Sequence, residues 1–269
     1  MIAAANQNTF LIREHADEYH AKSRDYLSSH QLAEFRRCPQ LYHRRKLGLI
    51  EDVDRPAYLL GRAAHVLILE GLDAFDATFA VGGPINPKTG QPFGANTKTW
   101  AEWADAQGKD VLSTDQFDIV SCMTQAVQMH PIAMTLLAEG TAEGVVRADY
   151  CNMPCQIRMD WFDPHRGIVD LKTCDDLTWF EADARRFAYI HQMAFYRAVL
   201  AQVLGVHMPV HIVAVEKKEP FRCGAWKVDP DMLAIARQDN EAAIDRLRQC
   251  LAEDRWPTGY EELRVFDQL

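Results

Sequence analysis

The spacing of hydrophobic and polar positions changes near residue 140. Before that point, apolar residues recur every three or four positions, which predicts helices over 31–46 (broken or restarted at Pro39), 58–71, 99–107, 114–129 and 131–138. After it, short runs rich in β-branched residues predict strands over 143–150, 156–162 and 167–173. Helices at 178–187 and 190–204, strands at 210–216 and 225–228, and a helix at 229–252 follow. This order predicts an α/β protein whose central mixed β-sheet is flanked by helices, with a helical N-terminal region.

The same segmentation predicts one domain over residues 28–269, preceded by an irregular arm at 1–27. The domain comprises a helical part (28–139), a core (140–228), and a C-terminal helix and tail (229–269). Glycine and proline mark 82–99 as a long loop whose role stays open. No apolar run approaches the roughly 18 residues of a spanning helix, and the first residues do not resemble a secretory signal. We therefore expect a cytoplasmic protein without a membrane partner.

Two ionisable residues interrupt the predicted strand at 167–173. Asp170 and Lys172 are two positions apart and share one face, whereas Val169 and Leu171 point to the other. Charged groups at the end of a buried strand are costly unless they are paired or used. Two interpretations follow from these residues alone. One is a structural ion pair, and the other is a phosphodiesterase site in which Asp170 holds Mg²⁺ and Lys172 orients the attacking water.

A second carboxylate lies across a turn from Asp170. Asp160 belongs to the preceding predicted strand, and the turn at 163–167 can bring the two carboxylates together. Two nearby carboxylates repel each other unless a cation lies between them. Oxygen ligands of this kind suit Mg²⁺ or Mn²⁺, and Lys172 could position a hydroxide and stabilise negative charge. Glu143, at the start of the strand before, is a further candidate ligand, either directly or through water.

Five motifs in a fixed order give the chain a family resemblance. They are a GxxxH ending at His65, an acidic residue at 143, an aspartate at 160, the D-x-K of residues 170–172, and a QxxxY from Gln192 to Tyr196. Each motif alone is common, but the ordered set resembles the PD-(D/E)XK nucleases, and among them the RecE-type exonucleases (exodeoxyribonuclease VIII). The similarity extends over roughly residues 20–228 and implies a restriction-endonuclease-like core.

The resemblance also implies roles for individual residues. It implies the following metal ligands: His65, Asp160, Asp170 and the carbonyl of Leu171. It implies the following catalytic residues: Lys172, Asp160, Asp170, Glu143, Gln192 and Tyr196. The implied cofactor is Mg²⁺, for which Mn²⁺ would substitute. Relatives with an iron–sulfur cluster keep three cysteines near the C-terminus, where this chain has only Cys250, so we expect no cluster.

The activity implied by the resemblance is an exonuclease that degrades double-stranded DNA ends in the 5′→3′ direction. Its 3′ overhangs would pass to a single-strand annealing protein during phage recombination, and a ring-shaped homo-oligomer is the implied assembly. One alternative is an endonuclease or single-strand exonuclease on the same core. Another is a catalytically inactive DNA-binding module. The chain has no GxxxxGK[ST] pattern, so we expect no ATP-dependent activity.

The charge balance limits how nucleic acid could bind. Twenty-nine Lys and Arg against 38 Asp and Glu give a net charge of −9, which argues against non-specific coating of DNA but allows a local basic face. Such a face is predicted by five residues within 36–46, namely Arg36, Arg37, Arg44, Arg45 and Lys46. They could be a solvated surface or contact the DNA backbone, with Tyr42 adding stacking. Seven scattered cysteines, an odd number, argue against a disulfide framework.

Overall fold

The structure, a computed structural model, describes residues 10–50, 56–94 and 96–265. Its α-helices are α1 (Ala16–Ala21), α2 (Ser29–Arg37), α3 (Pro39–Lys46), α4 (Pro56–His65), α5 (Leu72–Thr78), α6 (Lys98–Gln107), α7 (Thr114–Met129), α8 (Pro131–Leu136), α9 (Phe180–Arg186), α10 (Tyr189–Leu204) and α11 (Pro230–Glu253). Its strands are β1 (Phe79–Val81), β2 (Asp110–Leu112), β3 (Thr141–Tyr150), β4 (Met153–Asp163), β5 (Gly167–Cys174), β6 (Val210–Glu216) and β7 (Cys223–Lys227).

The central sheet has five strands in the order β3-β4-β5-β6-β7. Neighbours pair antiparallel except β5 and β6, which run parallel and are connected through α9 and α10. A parallel pair needs such a crossover because the chain must return to the same end of the sheet. This mixed sheet with flanking helices confirms the predicted fold class. The short strands β1 and β2, which form a separate parallel pair, were not predicted, because three residues are too few for a periodic pattern.

Each face of the sheet is covered by its own hydrophobic core. On one face, Ile168 packs with apolar residues of α2, α10 and α11, including Phe35, Phe195 and Leu247. On the other face, Val169 and Leu171 pack with residues of α4, α5, α7 and α8. The alternation along β5 is therefore the one predicted. It leaves Asp170 on the face of Ile168, in a strand that is buried on both sides.

Local sequence signals explain where most helices begin. Ser28 caps α2 and Ser113 caps α7, each in a capping box with the glutamine three residues later. Pro39 starts α3 at its first turn, where a missing N–H has no cost. The helix predicted over 58–71 is divided, because α4 ends at His65 and a π-helical turn occupies Val66–Glu70. Single π turns often occur at functional sites.

Part of the predicted irregular arm is ordered against the edge of the sheet. Ile12 forms a bridge to Val145 of β3, α1 follows, and Leu27 forms a bridge to Cys155 of β4. Glu14, almost fully buried, pairs with Arg147. Ile12 therefore covers part of the edge strand β3, which limits edge-to-edge association of sheets, whereas Leu27 pairs with the inner strand β4. Residues 1–9 lie outside the described residues, and the domain boundary at 28 stays a prediction.

The predicted loop at 82–99 lies between β1 and α6, and α6 begins shortly before the predicted end of the loop. A bridge between Ile85 and Pro92 closes part of it. Among the described residues, no helix is both long and apolar enough to cross a membrane.

Gly167 permits a close approach that fixes the position of β5 beside β6. It has a φ of +91°, and a Cβ atom there would lie 2.1 Å from the carbonyl oxygen of Pro209. That same oxygen accepts a hydrogen bond from the N–H of Ile168. A side chain at this position would therefore displace the first residue pair of the parallel ladder.

We expect Gly167→Ala to destabilise the fold by about 2 kcal/mol more than Gly71→Ala, measured by chemical unfolding. Gly71 is a matched control because its φ is +88°, but a Cβ atom there would have no heavy atom of the described residues within 4 Å. The control therefore reports only the backbone strain of a positive φ. Equal destabilisation by the two substitutions would contradict this account of β5.

Candidate active site

A local interruption of the sheet brings two acidic residues together. The β3–β4 ladder pairs Ala142 with Trp161 and Gly144 with Met159, so Glu143 and Asp160 face each other without ladder pairing. Glu143 has a φ of +55°, which a non-glycine residue seldom adopts. Backbone strain of this kind concentrates at functional sites. The interruption leaves both residues outside the regular ladder.

The carboxylate of Asp160 occupies the space where β4 separates from β5. The β4–β5 ladder extends only from Asp163 to Trp161, although β5 continues to Cys174. Beyond the ladder, Asp160 Oδ2 accepts a hydrogen bond of 2.8 Å from the N–H of Leu171. The side chain of Asp160 thus takes the place of a backbone acceptor and is held against β5.

His65, Glu143 and Asp160 form a candidate metal-binding cluster. One ligand atom from each of the three residues lies within 4.8 Å of the other two. His65 Nδ1 lies 3.6 Å from Asp160 Oδ2. One imidazole and two carboxylates form a donor set that Mg²⁺ or Mn²⁺ can use. His65 reaches the sheet because α4 ends there and packs against β5.

The electrostatics of this cluster favour a bound cation. Burial, with the Asp160 charge adding to it, raises the pKa of Glu143 to about 8. Burial also raises the pKa of Asp160. Burial and the nearby Lys172 ammonium lower the pKa of His65 to about 4, so its imidazole is neutral at pH 7 and can act as a ligand. A divalent cation would relieve the repulsion between the two carboxylates.

Asp170 and Lys172 form the ion pair that was one of the two interpretations from sequence. Lys172 Nζ lies 2.5 Å from Asp170 Oδ2, and neither side chain is exposed by more than a sixth. Neither oxygen of Asp170 has a hydrogen bond of good geometry from the described residues. Burial raises the pKa of Asp170 to about 6, against the effect of Lys172. For Lys172, burial acts to lower the pKa, but Asp170 and Asp160 outweigh it and the net shift is upward.

The structure divides the candidate ligands predicted from sequence between this cluster and the adjacent ion pair. The cluster contains His65 and Asp160, together with Glu143, which was predicted as a further ligand, direct or through water. Asp170 lies beside the cluster, since its charge acts on Glu143 and His65. Its buried oxygens lack hydrogen-bond partners of good geometry among the described residues and could ligate a cation. The ion pair with Lys172 and a role in metal binding are therefore compatible within one site.

Gln192 and Tyr196 act as a unit on α10. Gln192 Nε2 donates a hydrogen bond of 3.1 Å to the Tyr196 hydroxyl, as their spacing of four residues predicts. Gln192 lines the cleft beside the cluster, whereas Tyr196 is buried behind it. Tyr196 therefore positions Gln192, and Gln192 is the residue that a bound molecule could contact.

This cleft has a volume of about 800 Å³ and lies between α2, α4, the end of β5 and the start of α10. We name it the active cleft, and His65, Lys172 and Gln192 line it. Its other basic residues include Arg36, Arg62, Arg186 and Lys217, and its acidic residues are Asp175 and Asp183. The excess of positive charge suits a polyanionic ligand.

The predicted basic face is only partly connected with the active cleft. Arg36 lines it, whereas Arg37, Arg44, Arg45 and Lys46 do not. Arg45 instead pairs with Glu34. The suggestion that Tyr42 stacks on nucleic acid was wrong, because Tyr42 is 2% exposed and packs against Phe35 and Trp256.

Two residues at the site were missed in the sequence. Arg158 Nε lies 2.8 Å from Glu143 Oε2, and its position two residues before Asp160 was a usable signal because the two share a strand. Tyr189 lies under Lys172, whose Nζ is 5.0 Å from the ring centroid. Its spacing of three residues from Gln192 on α10 was a second usable signal.

We expect the affinity for Mn²⁺ to rise as the pH increases from about 5 to 8. The raised pKa values of Asp170 (about 6) and Glu143 (about 8) mean that protons occupy these carboxyls at low pH and must leave when a cation binds. Calorimetry in buffers of different ionisation enthalpy would measure the released protons. Without metal, the free energy of unfolding should fall as the pH rises from about 6.5 to 8, because folded Glu143 retains a proton that the unfolded chain releases. Below pH 6.5 the lowered pKa of His65 has the opposite effect, since there the unfolded chain holds the additional proton.

Glu143→Gln should weaken Mn²⁺ binding about tenfold or more and abolish proton release above pH 7. Glu139→Gln is the control, since Glu139 is an exposed residue that precedes β3 by two positions. An affinity independent of pH, or equal effects of the two substitutions, would exclude Glu143 as a ligand.

Comparisons with known proteins agree with this fold. Residues 28–268 match a family described as a PDDEXK-like domain of unknown function (DUF3799). No curated protein matches the sequence. The structure is similar to the crystal structure of a protein from Eubacterium rectale that is provisionally described as an exonuclease, with a TM-score of 0.70 and 16% identity over 96% of each chain. Because the family match extends over nearly all of the chain, the protein belongs to the PDDEXK-like family DUF3799 and has the PD-(D/E)XK fold.

Proposed function

We propose that this protein is a metal-dependent nuclease that hydrolyses phosphodiester bonds of DNA. The observation that carries the proposal is the cluster of His65, Glu143 and Asp160 beside the Lys172–Asp170 pair. A structural role alone would not require three ionisable side chains to converge where the sheet is interrupted, at the edge of a basic cleft. Membership of a PDDEXK-like family adds support.

In the proposed reaction, His65, Glu143 and Asp160 would hold Mg²⁺ or Mn²⁺, and Asp170 would complete the acidic side of the site. A bound divalent cation supplies charge stabilisation to the phosphate and lowers the pKa of a coordinated water. The Lys172 ammonium donates hydrogen bonds that orient the attacking water in line with the phosphorus. Asp170 and the Tyr189 ring restrict the position of Lys172 before substrate binds. Gln192, held by Tyr196, contacts the scissile strand.

Action at DNA ends is the finer part of the proposal. The structural neighbour from Eubacterium rectale is provisionally described as an exonuclease, and the ordered motifs resemble RecE-type enzymes. On this basis we propose degradation of double-stranded ends in the 5′→3′ direction, with the 3′ overhang passed to a single-strand annealing protein. A ring-shaped homo-oligomer belongs to the same resemblance and is part of the proposal.

One observation favours a second candidate, a nuclease that acts on single strands. Phe187 is 56% exposed although it lines the active cleft. Its ring centroid lies 5.9 Å from that of Tyr189 and 5.3 Å from the guanidinium carbon of Arg186. The following residue, Ala188, has a φ of +58°, which presents Phe187 at the start of α10. Exposed aromatic rings in basic clefts stack with unpaired bases.

Digestion of four DNA substrates would test these proposals: linear duplexes labelled at the 5′ or the 3′ end, a single strand, and a covalently closed circle. We expect Mg²⁺-dependent loss of label from linear duplexes and no cleavage of the circle. Faster degradation of the single strand would favour the second candidate, and cleavage of the circle would establish an endonuclease.

Lys172→Ala and Asp170→Ala should each lower the rate of DNA cleavage about 100-fold or more. The first removes the ammonium that stabilises the transition state, and the second removes the carboxylate that holds this ammonium in position. Lys227→Ala is the control, since Lys227 is exposed at the end of β7 and does not line the active cleft. Normal circular dichroism would show that the variants are folded. Wild-type activity in either active-site variant would overturn the mechanism. If the unmutated protein neither cleaves DNA nor binds Mn²⁺, it would instead be an inactive DNA-binding module.

A further inference from the structure

A second cleft, of about 420 Å³, adjoins the active cleft and is lined by four arginines. We name it the arginine cleft; the four are Arg36, Arg37, Arg246 and Arg264. They come from the end of α2, from α11 and from the tail. No aspartate or glutamate is among its lining residues in the part of the chain that the structure describes. In a chain with a net charge of −9, such a concentration of one sign is unexpected for an ordinary solvated surface.

The arginines are held close together by the fold. Arg36 Nη1 donates a hydrogen bond of 3.2 Å to Asn240 Oδ1, which ties α2 to α11. Burial lowers the pKa of Arg36, and the positive charge of Arg246 lowers it further, against the effect of Asp239. Like charges that act on each other in this way destabilise the fold unless an anion lies between them.

The tail adds the fourth arginine and an aromatic ring. Arg264 Nη2 donates a hydrogen bond to the Gly259 carbonyl, and its guanidinium carbon lies 4.1 Å from the ring centroid of Tyr260. Tyr260 is 74% exposed. The nearby Glu261 carboxylate accepts hydrogen bonds from the Thr258 and Gly259 N–H groups. These hydrogen bonds hold the Glu261 carboxylate within the turn of the tail.

The two clefts lie one after the other along α2 and share Arg36 as a lining residue. Ser29, Ala33 and Arg36 line the active cleft, and Arg36 with Arg37 lines the arginine cleft. From Ser29 to Arg37 the helix rises about 12 Å, which is enough for a nucleic-acid strand to pass two or three phosphates. A strand that leaves the active cleft past Arg36 would therefore enter the arginine cleft.

We propose that the arginine cleft binds the phosphodiester backbone of the strand that occupies the active cleft. Guanidinium groups bind phosphate oxygens through two parallel hydrogen bonds and remain charged at all relevant pH values. Tyr260 offers a face for an unpaired base beside these phosphates. This inference rests on the proposed function for the identity of the ligand, and it adds contacts several nucleotides away from the scissile bond.

Binding measurements in the Lys172→Ala background test the inference without cleavage. The probes are labelled single strands of 4 and 20 nucleotides, titrated at several salt concentrations. The wild-type arginine cleft should make the 20-mer bind more tightly than the 4-mer. Arg246→Gln should reduce this advantage about 3- to 10-fold. It should also make the slope of log affinity against log salt concentration less steep, by about 1.

Arg248→Gln is the matched control. Arg248 lies on the same helix, pairs with Asp245 at 3.4 Å and does not line the arginine cleft. It should keep the length advantage and the salt slope of the parent. The inference is overturned if Arg246→Gln and Arg248→Gln behave alike, or if Arg246→Gln weakens the 4-mer and the 20-mer equally.

Thermal unfolding provides a readout that does not depend on nuclease activity. At low salt, Arg246→Gln should raise the melting temperature, because it removes repulsion within the arginine cleft. Tripolyphosphate should stabilise the wild type more than this variant. No difference between the two proteins in either measurement would contradict an anion site. If the wild type shows no nuclease activity but differs from Arg246→Gln in both thermal measurements, the proposed reaction is overturned and the anion site is retained.

Discussion

The hydrogen bond from the Leu171 N–H to Asp160 is the interaction on which the site depends. It connects β4 and β5 at the point where their ladder has ended, through a side chain instead of the backbone. A buried N–H needs a hydrogen-bond acceptor, so Asp160 must remain in place to accept the hydrogen bond from the Leu171 N–H. The same carboxylate then lies beside His65 and opposite Glu143. The structural requirement of one strand and the chemistry of the candidate site are thus met by one residue.

Negative and positive side chains are concentrated in different parts of the structure. Between the two cores, carboxylates lose hydration and their pKa values rise, which prepares them to exchange protons for a cation. In the clefts, basic side chains from several elements line the same space. Negative charge is therefore concentrated where a metal could bind, and positive charge where phosphates could bind. A net charge of −9 conceals this separation.

The family match extends over nearly all of the chain, and the likeness to the Eubacterium rectale structure concerns the fold. One fold can host many functions, so the function depends on the residues of the site. Around Lys172, the residues that the motifs singled out lie in two adjacent groups. Glu143 joins His65 and Asp160, whereas Asp170 pairs with Lys172. The acidic residue of β3 thereby becomes a principal candidate ligand.

The sequence by itself predicted most of the helices and strands and singled out His65, Glu143, Asp160, Asp170 and Lys172 as candidate site residues. Capping residues such as Ser28 and Ser113 defined where helices begin, and alternation along β5 placed Val169 and Leu171 opposite Asp170 and Lys172. These signals are local, because they depend on spacing within one helix or strand. The π turn after His65, the interruption at Glu143 and the short pair β1–β2 gave no periodic signal.

Only the tertiary structure decided which residues meet. Arg158 reaches Glu143 across the interrupted ladder, and Tyr42 is taken into the core instead of facing solvent. Arg37, Arg246 and Arg264 meet in one cleft although they are far apart along the chain. Such contacts depend on how elements pack against a twisted sheet, and a pattern along one segment carries no information about the segment that will lie against it.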